Sequence, residues 1–225
     1  MKVVAVVQAR LGSIRLPEKV LRPIANKPMI EILLNRLSMS SEIDEILVAT
    51  SNKEENDKLQ SFVEALDFRC TRGSEEDVLS RFYDTARLSE ADIVVRITGD
   101  CPLVDPGLVD KCIKGYKENE VDYFSNIQPT TFPDGLDIEV LSMHSLEKAH
   151  KEAISNYDRE HVTTYIRNSD KFSKCLSTKG TKILSNSFRP LLALNLALFN
   201  SSLLSLIHIS EPTRQEAISY AVVCV

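Results

Sequence analysis

Short apolar runs rich in β-branched residues, each followed by a stretch of helical period, leave this chain few architectures. Residues 2–7 read Lys-Val-Val-Ala-Val-Val, apolar at consecutive rather than alternate positions. A strand can be apolar on both sides only if both its faces are covered, as in a parallel sheet between helices. Helical period follows over 29–37, and 45–49 predicts a second strand. Residues 54–66 predict a helix and 68–71 a weak strand. Residues 74–88 predict a helix capped by Ser74, with Glu75, Glu76 and Asp77 in a first turn whose dipole favours acids. Residues 93–97 form another apolar run, and 106–118 a helix with Pro106 near its start and Asp105 as its N-cap. Past Asp122 the pattern loosens: 137–141 reads as a strand, 142–154 and 158–168 as helices. The alternation predicts an α/β fold, a mostly parallel twisted sheet flanked by helices.

No linker interrupts the first 180 of the 225 residues, so residues 1–190 are expected to form one domain. A net charge of −5 counts against a nucleic-acid partner, which calls for a basic face. The five cysteines are scattered and never paired as C-x-x-C, a pattern of reduced thiols. The chain opens on a strand with no signal-peptide pattern, and a cytoplasmic location is expected.

Ligands of parallel α/β sheets bind beyond the C-terminal ends of the strands. That rule selects loops 8–19, 50–53 and 98–105. Loop 8–19 carries Arg10, Arg15 and Lys19, with Gly12 and Ser13 between them. Guanidinium groups bind phosphate oxygens in bidentate fashion, a lysine adds a point charge, and glycine lets the backbone come close. The loop is neither G-x-x-x-x-G-K-[ST] nor G-x-G-x-x-G. A solvated basic loop would look similar, but its place after the first buried strand favours phosphate binding.

In loop 98–105, Asp100 follows a buried strand and suits Mg²⁺, which takes one or two carboxylates plus phosphate oxygens. Its alternative is a turn-capping role before Pro102. Asp77 and Arg81, four apart, could form a helix-face ion pair or contact a ligand. Asp134, Asp137 and Glu139 surround Gly135, and the last two share one face of the expected strand. They suit hydrogen bonding to sugar hydroxyls, or a general base. Glu160-His161 is expected to open a helix after an Asp158 cap and does not fit H-E-x-x-H. His144 and His150 are expected on a surface helix with no function.

The segment Ala9-Arg10-x-Gly12-Ser13-x-Arg15-x-Pro17-x-Lys19 resembles the signature loop of the sugar cytidylyltransferases, which include the CMP-Kdo and acylneuraminate synthetases. The branch most alike is the spore-coat polysaccharide type. The resemblance continues at 26–29, 72–79 and 96–103, then at 132–139 and 159–163, so ordered motifs cover about residues 1–180. It implies a Rossmann-like nucleotide-diphospho-sugar transferase fold. It also implies transfer of CMP from CTP to a sugar or sugar acid, with release of pyrophosphate, for surface polysaccharide synthesis. Mg²⁺ would sit on Asp100. Arg10, Arg15 and Lys19, with Gln8, Ala9, Gly12 and Ser13, would hold the triphosphate. Ser74, Asp77 and Arg81 would lie near base or ribose. Asp134, Asp137, Glu139, Glu160 and His161 would face the acceptor. A homodimer is compatible with this reading, and neither nucleic acid nor membrane is an expected partner. Glu18 stands where the family often has glycine, adding a negative charge beside the cations. Two alternatives remain: a glycosyltransferase of related fold, though Gly99-Asp100-Cys101 is not an Asp-x-Asp motif, and an inactive nucleotide-binding protein.

Residues 191–225 break with the rest. No charge occurs between Arg189 and Glu211, yet Asn195, Asn200, several serines and His208 interrupt the apolar run that a membrane span would need. A V-D-x-P-x-D-like motif, which the resemblance would place here to supply a second metal carboxylate, is absent. Residues 205–225 resemble translated sequencing-adapter read-through, so the tail from about Leu191 is expected to be a truncated or frame-shifted replacement.

Overall fold

The computed structural model describes residues 1–13, 16–127 and 132–175. Arg15 and the whole tail expectation, with its apolar run and missing carboxylate motif, lie outside those residues.

A seven-stranded sheet runs in the order β5-β4-β1-β6-β8-β7-β9. Its parallel half comprises β5 (Arg69–Gly73), β4 (Glu45–Ser51), β1 (Val3–Gln8) and β6 (Ile93–Thr98). Beyond β6 the direction reverses. Strand β8 (Glu139–Ser142) pairs antiparallel to β6 and to β7 (Tyr123–Ser125), and β9 (Lys174–Cys175) runs parallel to β7. A small separate hairpin, β2 (Pro23–Ile24) with β3 (Lys27–Pro28), follows the first loop.

Alternation along the strands divides the core. Val3, Ala5 and Val7 of β1 face one apolar layer together with Ile93, Val95 and Ile97 of β6. That layer takes in α1 (Met29–Leu37), α2 (Asp57–Ala65) and α4 (Pro106–Asn119). Val4, Val6 and Val94 face the other layer, covered by α3 (Val78–Leu88), α5 (Met143–Glu152) and α7 (Thr164–Asn168). Both faces of the central strands are therefore buried, which is why residues 2–7 are apolar without interruption. The short α6 (Asn156–His161) contributes no buried residue and lies over α3.

Several boundaries differ from the sequence reading. Helix α3 begins at Val78, capped by Asp77, whose carboxylate accepts from the Ser80 N–H at 2.9 Å. Ser74 instead accepts from the Asp77 N–H at 3.0 Å, so Glu75, Glu76 and Asp77 precede the helix rather than fill its first turn. The helix expected over 158–168 is two helices. Val162, fully buried, has φ 58° and ψ −60°, and the Thr163 N–H reaches back to the His161 carbonyl at 2.6 Å. That is a γ-turn of the rare strained hand, and it stops α6. Ser155, not Asp158, caps α6, at 3.1 Å. Asp105 does cap α4, accepting from Leu108 at 2.7 Å.

The C-terminal ends of the parallel strands are stitched together. The Gly99 N–H donates to the Gln8 carbonyl at 2.8 Å, and the Ala9 N–H to the Ala49 carbonyl at 3.2 Å. The Leu11 N–H donates to Asn56 Oδ1 at 2.8 Å. Asn56 in turn donates to Ser51 Oγ at 2.8 Å. A Cβ on Gly99 would sit 2.8 Å from the Ala9 Cβ and 2.9 Å from the Gln8 carbonyl oxygen, so glycine is required by this approach. We expect Gly99→Val to lower stability by about 1–3 kcal/mol through overpacking, read as a shift in urea unfolding midpoint. An unchanged midpoint would contradict the close approach.

Candidate active site

A cavity of about 820 Å³ opens at this stitched end. One wall carries Gln8 and Arg10 from the first loop and Arg96 from β6; the segment Glu75 to Val78 forms a second; α6 and the residues before it form the third. The segment before α3 is a lining loop that the strand-end rule, applied to loops 8–19, 50–53 and 98–105, had not selected.

Three arginines face this cavity, and each is held by a carboxylate. Arg10 pairs with Glu75. Arg159 pairs with Asp77 and also donates to the His150 carbonyl at 2.7 Å, tying α6 to the end of α5. Arg96 pairs with Glu139, its register partner across β6 and β8. Glu139 is 2% exposed and also accepts from Tyr123 Oη at 2.5 Å and Thr163 Oγ1 at 2.6 Å. Burial opposes its charge, but Arg96 and the two hydroxyls outweigh burial and hold its carboxyl below the usual range.

The Lys19 ammonium lies 3.2 Å from Asp100 Oδ2. Lys19 is 10% exposed and Asp100 35%, so the carboxylate keeps the open side of the pair. Burial works against the Asp100 charge, while Lys19 and a hydrogen bond with Thr98 favour it and keep the carboxyl below its ordinary range. An ionised carboxylate with an open face suits a hard divalent cation. Among the described residues no group of three His, Cys, Asp or Glu side chains is arranged to hold a metal. Burial pushes the Cys101 thiol up, and the nearby charges of Asp100, Asp137 and Asp134 add to the rise.

The structure revises several expected site residues. Asp77 and Arg81 form no ion pair: Asp77 caps α3 and meets Arg159, while the guanidinium of Arg81 donates to the Ser74 carbonyl at 2.5 Å. Arg81 is 2% exposed, packs under Gly73, and burial lowers its pKa to about 10. It supports the Ser74 loop from beneath. Glu139 shares no solvent-facing strand surface with Asp137, because β8 begins only at Glu139 and the side chain turns into the core. Glu160 and His161 close α6 rather than open a helix; both are exposed on the cavity wall, with His161 edge-on to Tyr157. Asp134 is exposed and Asp137 half-buried. Ser13 turns the first loop, its N–H bonded to the Leu11 carbonyl at 2.7 Å, and Gly12 faces Glu55 and Glu75. Glu18 has φ 55°, a left-handed conformation that explains a glycine there, and its carboxylate turns to Lys58 at 2.7 Å. His150 stacks on Tyr83 with ring centroids 4.4 Å apart, so it is a packing residue.

The profile of the cytidylyltransferase family matches residues 4–195. The chain belongs to this family. It is 43% identical over 74% of its length to the uncharacterized protein MJ1063 of Methanocaldococcus jannaschii, covering 67% of that protein. It is 38% identical over 72% of its length to the spore coat polysaccharide biosynthesis protein SpsF of Bacillus subtilis, covering 69% of it. Shorter matches, 31–34% identical, join 50–53% of this chain to 44–47% of bacterial 3-deoxy-manno-octulosonate cytidylyltransferases. The solved structure of a cytidylyltransferase from Leptospira borgpetersenii superposes with a TM-score of 0.74 at 32% identity, over 79% of this chain and 77% of that one. The mostly parallel sheet is thus the nucleotidyltransferase fold, and the enzyme class is nucleotidyl transfer. Among the described residues no helix is long and apolar enough to cross a membrane.

Glu139 supplies a pH prediction. Its pKa is depressed in the native state, so the unfolded chain binds more protons and stability rises with pH. The stabilisation is complete above the unfolded value of about 4.3 and is lost as pH falls through the lower native value. Glu139→Ala, which leaves Arg96 buried without its partner, is expected to cost about 3–5 kcal/mol at pH 7. The difference from wild type should shrink toward pH 3 in urea melts. A pH-independent difference would contradict the ionised pair.

Proposed function

We propose that this chain transfers CMP from CTP to a sugar or sugar acid, releasing pyrophosphate, in the assembly of a surface polysaccharide. The observation that carries the reading is the Lys19–Asp100 pair, set beside the stitched loops at the ends of β1 and β6. The polysaccharide role rests on the likeness to SpsF. The sugar-acid option rests on the likeness to the 3-deoxy-manno-octulosonate enzymes.

A triphosphate entering at loop 8–19 meets Arg10 and Lys19, with Gln8, Ala9, Gly12 and Ser13 as the backbone around it and Arg15 as a third cation. Arg10 is 46% exposed and can exchange Glu75 for a phosphate oxygen with little desolvation. Lys19, at 10% exposure already largely desolvated, exchanges the more open Asp100 for phosphate. Asp100 would hold Mg²⁺, which would supply neutralisation of phosphate charge and polarisation of the phosphorus under attack. The residues Ser74, Asp77 and Arg81 shape the nucleoside side. Asp134, Asp137, Glu160 and His161 face the acceptor, whose hydroxyl attacks the α-phosphate. With no covalent enzyme intermediate required, catalysis is positioning plus electrostatic stabilisation.

A second reading, nucleotide binding without turnover, is favoured by one observation: among the described residues no group of three His, Cys, Asp or Glu side chains is placed to hold a metal. Pyrophosphate release separates the two. With CTP, Mg²⁺ and a panel of sugars and sugar acids, we expect metal-dependent release. Asp100→Asn should reduce it by about 10²–10³-fold. Lys19→Ala should weaken CTP binding about ten- to a hundred-fold, the value of one charge-assisted hydrogen bond. CTP binding without release from any acceptor would favour the second reading; release unaffected by Asp100→Asn would refute the assigned metal ligand.

A further inference from the structure

The three cavity arginines differ in how firmly they are held. The carboxylate partners of Arg10 and Arg159 are Glu75 and Asp77, 13% and 34% exposed, on a loop at the cavity edge. Either arginine can leave its partner for a ligand, because Lys53 stays 3.9 Å from Glu75 and the Asp77 carboxylate is open to water. Glu139, the partner of Arg96, is sealed in the core and takes three donors, from Arg96, Tyr123 and Thr163. Removing Arg96 from it would strand a buried charge. Arg96 is therefore the cavity's fixed donor.

The protein holds the remaining N–H groups of Arg96 only weakly. Nη1 serves Glu139, Nη2 makes only a 3.5 Å approach to Gln8 Oε1, and Nε is buried without a partner. A guanidinium offers five donors in a planar fork, and its Nη2 edge, held only by the long Gln8 contact, is the one a cavity ligand can take. The same Glu139 oxygen that binds Tyr123 also binds Thr163, the residue after the strained γ-turn at Val162. Such strain persists only where its surroundings over-determine it. One buried carboxylate thus anchors both the donor on β6 and the start of α7, from which α6 and its Arg159, Glu160 and His161 hang as the facing wall. Gln8 and Arg10 of the first loop line this cavity and Lys19 and Asp100 do not, so Arg96 stands between that loop and the wall formed by α6.

Building on the transferase reading above, we propose that Arg96 is the specificity-determining donor that reads an oxygen of the acceptor, a hydroxyl or a carboxylate. In this proposal Glu139 acts through Arg96 as a positioning residue. Arg96 grips by geometry more than by charge, because Glu139 already neutralises it. Glu139 never touches the acceptor; it fixes the fork's direction and the width of the cavity.

Steady-state kinetics of the full chain test this, with CTP affinity measured separately by calorimetry. The acceptors are 3-deoxy-manno-octulosonate, N-acetylneuraminate and their carboxyl-reduced forms. Arg96→Lys keeps the charge and the Glu139 pair but loses the fork. It is expected to raise the acceptor KM at least ten-fold, with kcat within about three-fold and CTP Kd within about two-fold. Glu139→Gln keeps acceptors for Tyr123 and Thr163 but releases Arg96, and should give the same split. If either variant fails to fold by near-UV circular dichroism, the other carries the test. Should both fail, the paired replacement Arg96→Met with Glu139→Gln removes donor and charge together and must show the same KM rise. A larger loss with the acids than with their reduced forms assigns the oxygen to a carboxylate, and an equal loss assigns it to a hydroxyl. An unchanged acceptor KM, or a CTP Kd that weakens in parallel with it, overturns the proposal while leaving the transferase reading intact. No release by the wild type with any acceptor overturns both.

Discussion

The hydrogen bond from the Gly99 N–H to the Gln8 carbonyl sets the geometry on which the site depends. It draws the end of β6 against the end of β1 so closely that no side chain fits between them. Arg10 and Lys19 leave β1 on one side of that stitch, and Asp100 leaves β6 on the other. The Lys19–Asp100 contact, eighty-one residues apart in sequence, follows from it. Parallel strands alone would place these loops at one end of the sheet. The stitch brings them within contact of one another.

Electrostatics then divides the site into movable and fixed parts. Arg10, Arg159 and Lys19 are each balanced by a partly exposed carboxylate, so a phosphate or a metal can take over one partner at modest cost. Arg96 and Glu139 form the fixed part, sealed by the antiparallel strands β7 and β8. The reversal of strand direction after β6 sets these two residues opposite each other. It supplies a buried acid from β8 beside an arginine of β6, and a parallel neighbour fed through a crossover helix would not offer the same register.

Much of this was legible in the sequence where one physical rule governs. The runs at 2–7, 45–49 and 93–97 are apolar because both sheet faces are covered, and each appears as a strand. Asp105 caps α4 as expected because an aspartate before proline at a helix start has few other uses. The half past Asp122 was harder. Strands β7 and β9 are three and two residues long, too short to carry a period, and Glu139 reads in sequence as sharing one strand face with Asp137 toward an acceptor. Only the tertiary pairing with Arg96 explains a carboxylate at a core position. Likewise Asp77 and Arg81 have ion-pair spacing, but Asp77 lies outside the helix, so the spacing rule did not apply. The break at Val162 had no local signal, since a buried β-branched residue is among the least expected to take positive φ. The motifs marking the family were readable because their order and spacing span most of the chain, independent of how each residue is used.

The most direct test is a crystal structure of the protein with CTP and Mg²⁺. The account predicts that Lys19 leaves Asp100 for a phosphate oxygen, that Asp100 binds the metal, and that Arg10 leaves Glu75 for the triphosphate. Arg96 should remain on Glu139. CTP bound with the Lys19–Asp100 pair intact, or bound away from the loop that follows β1, would contradict it.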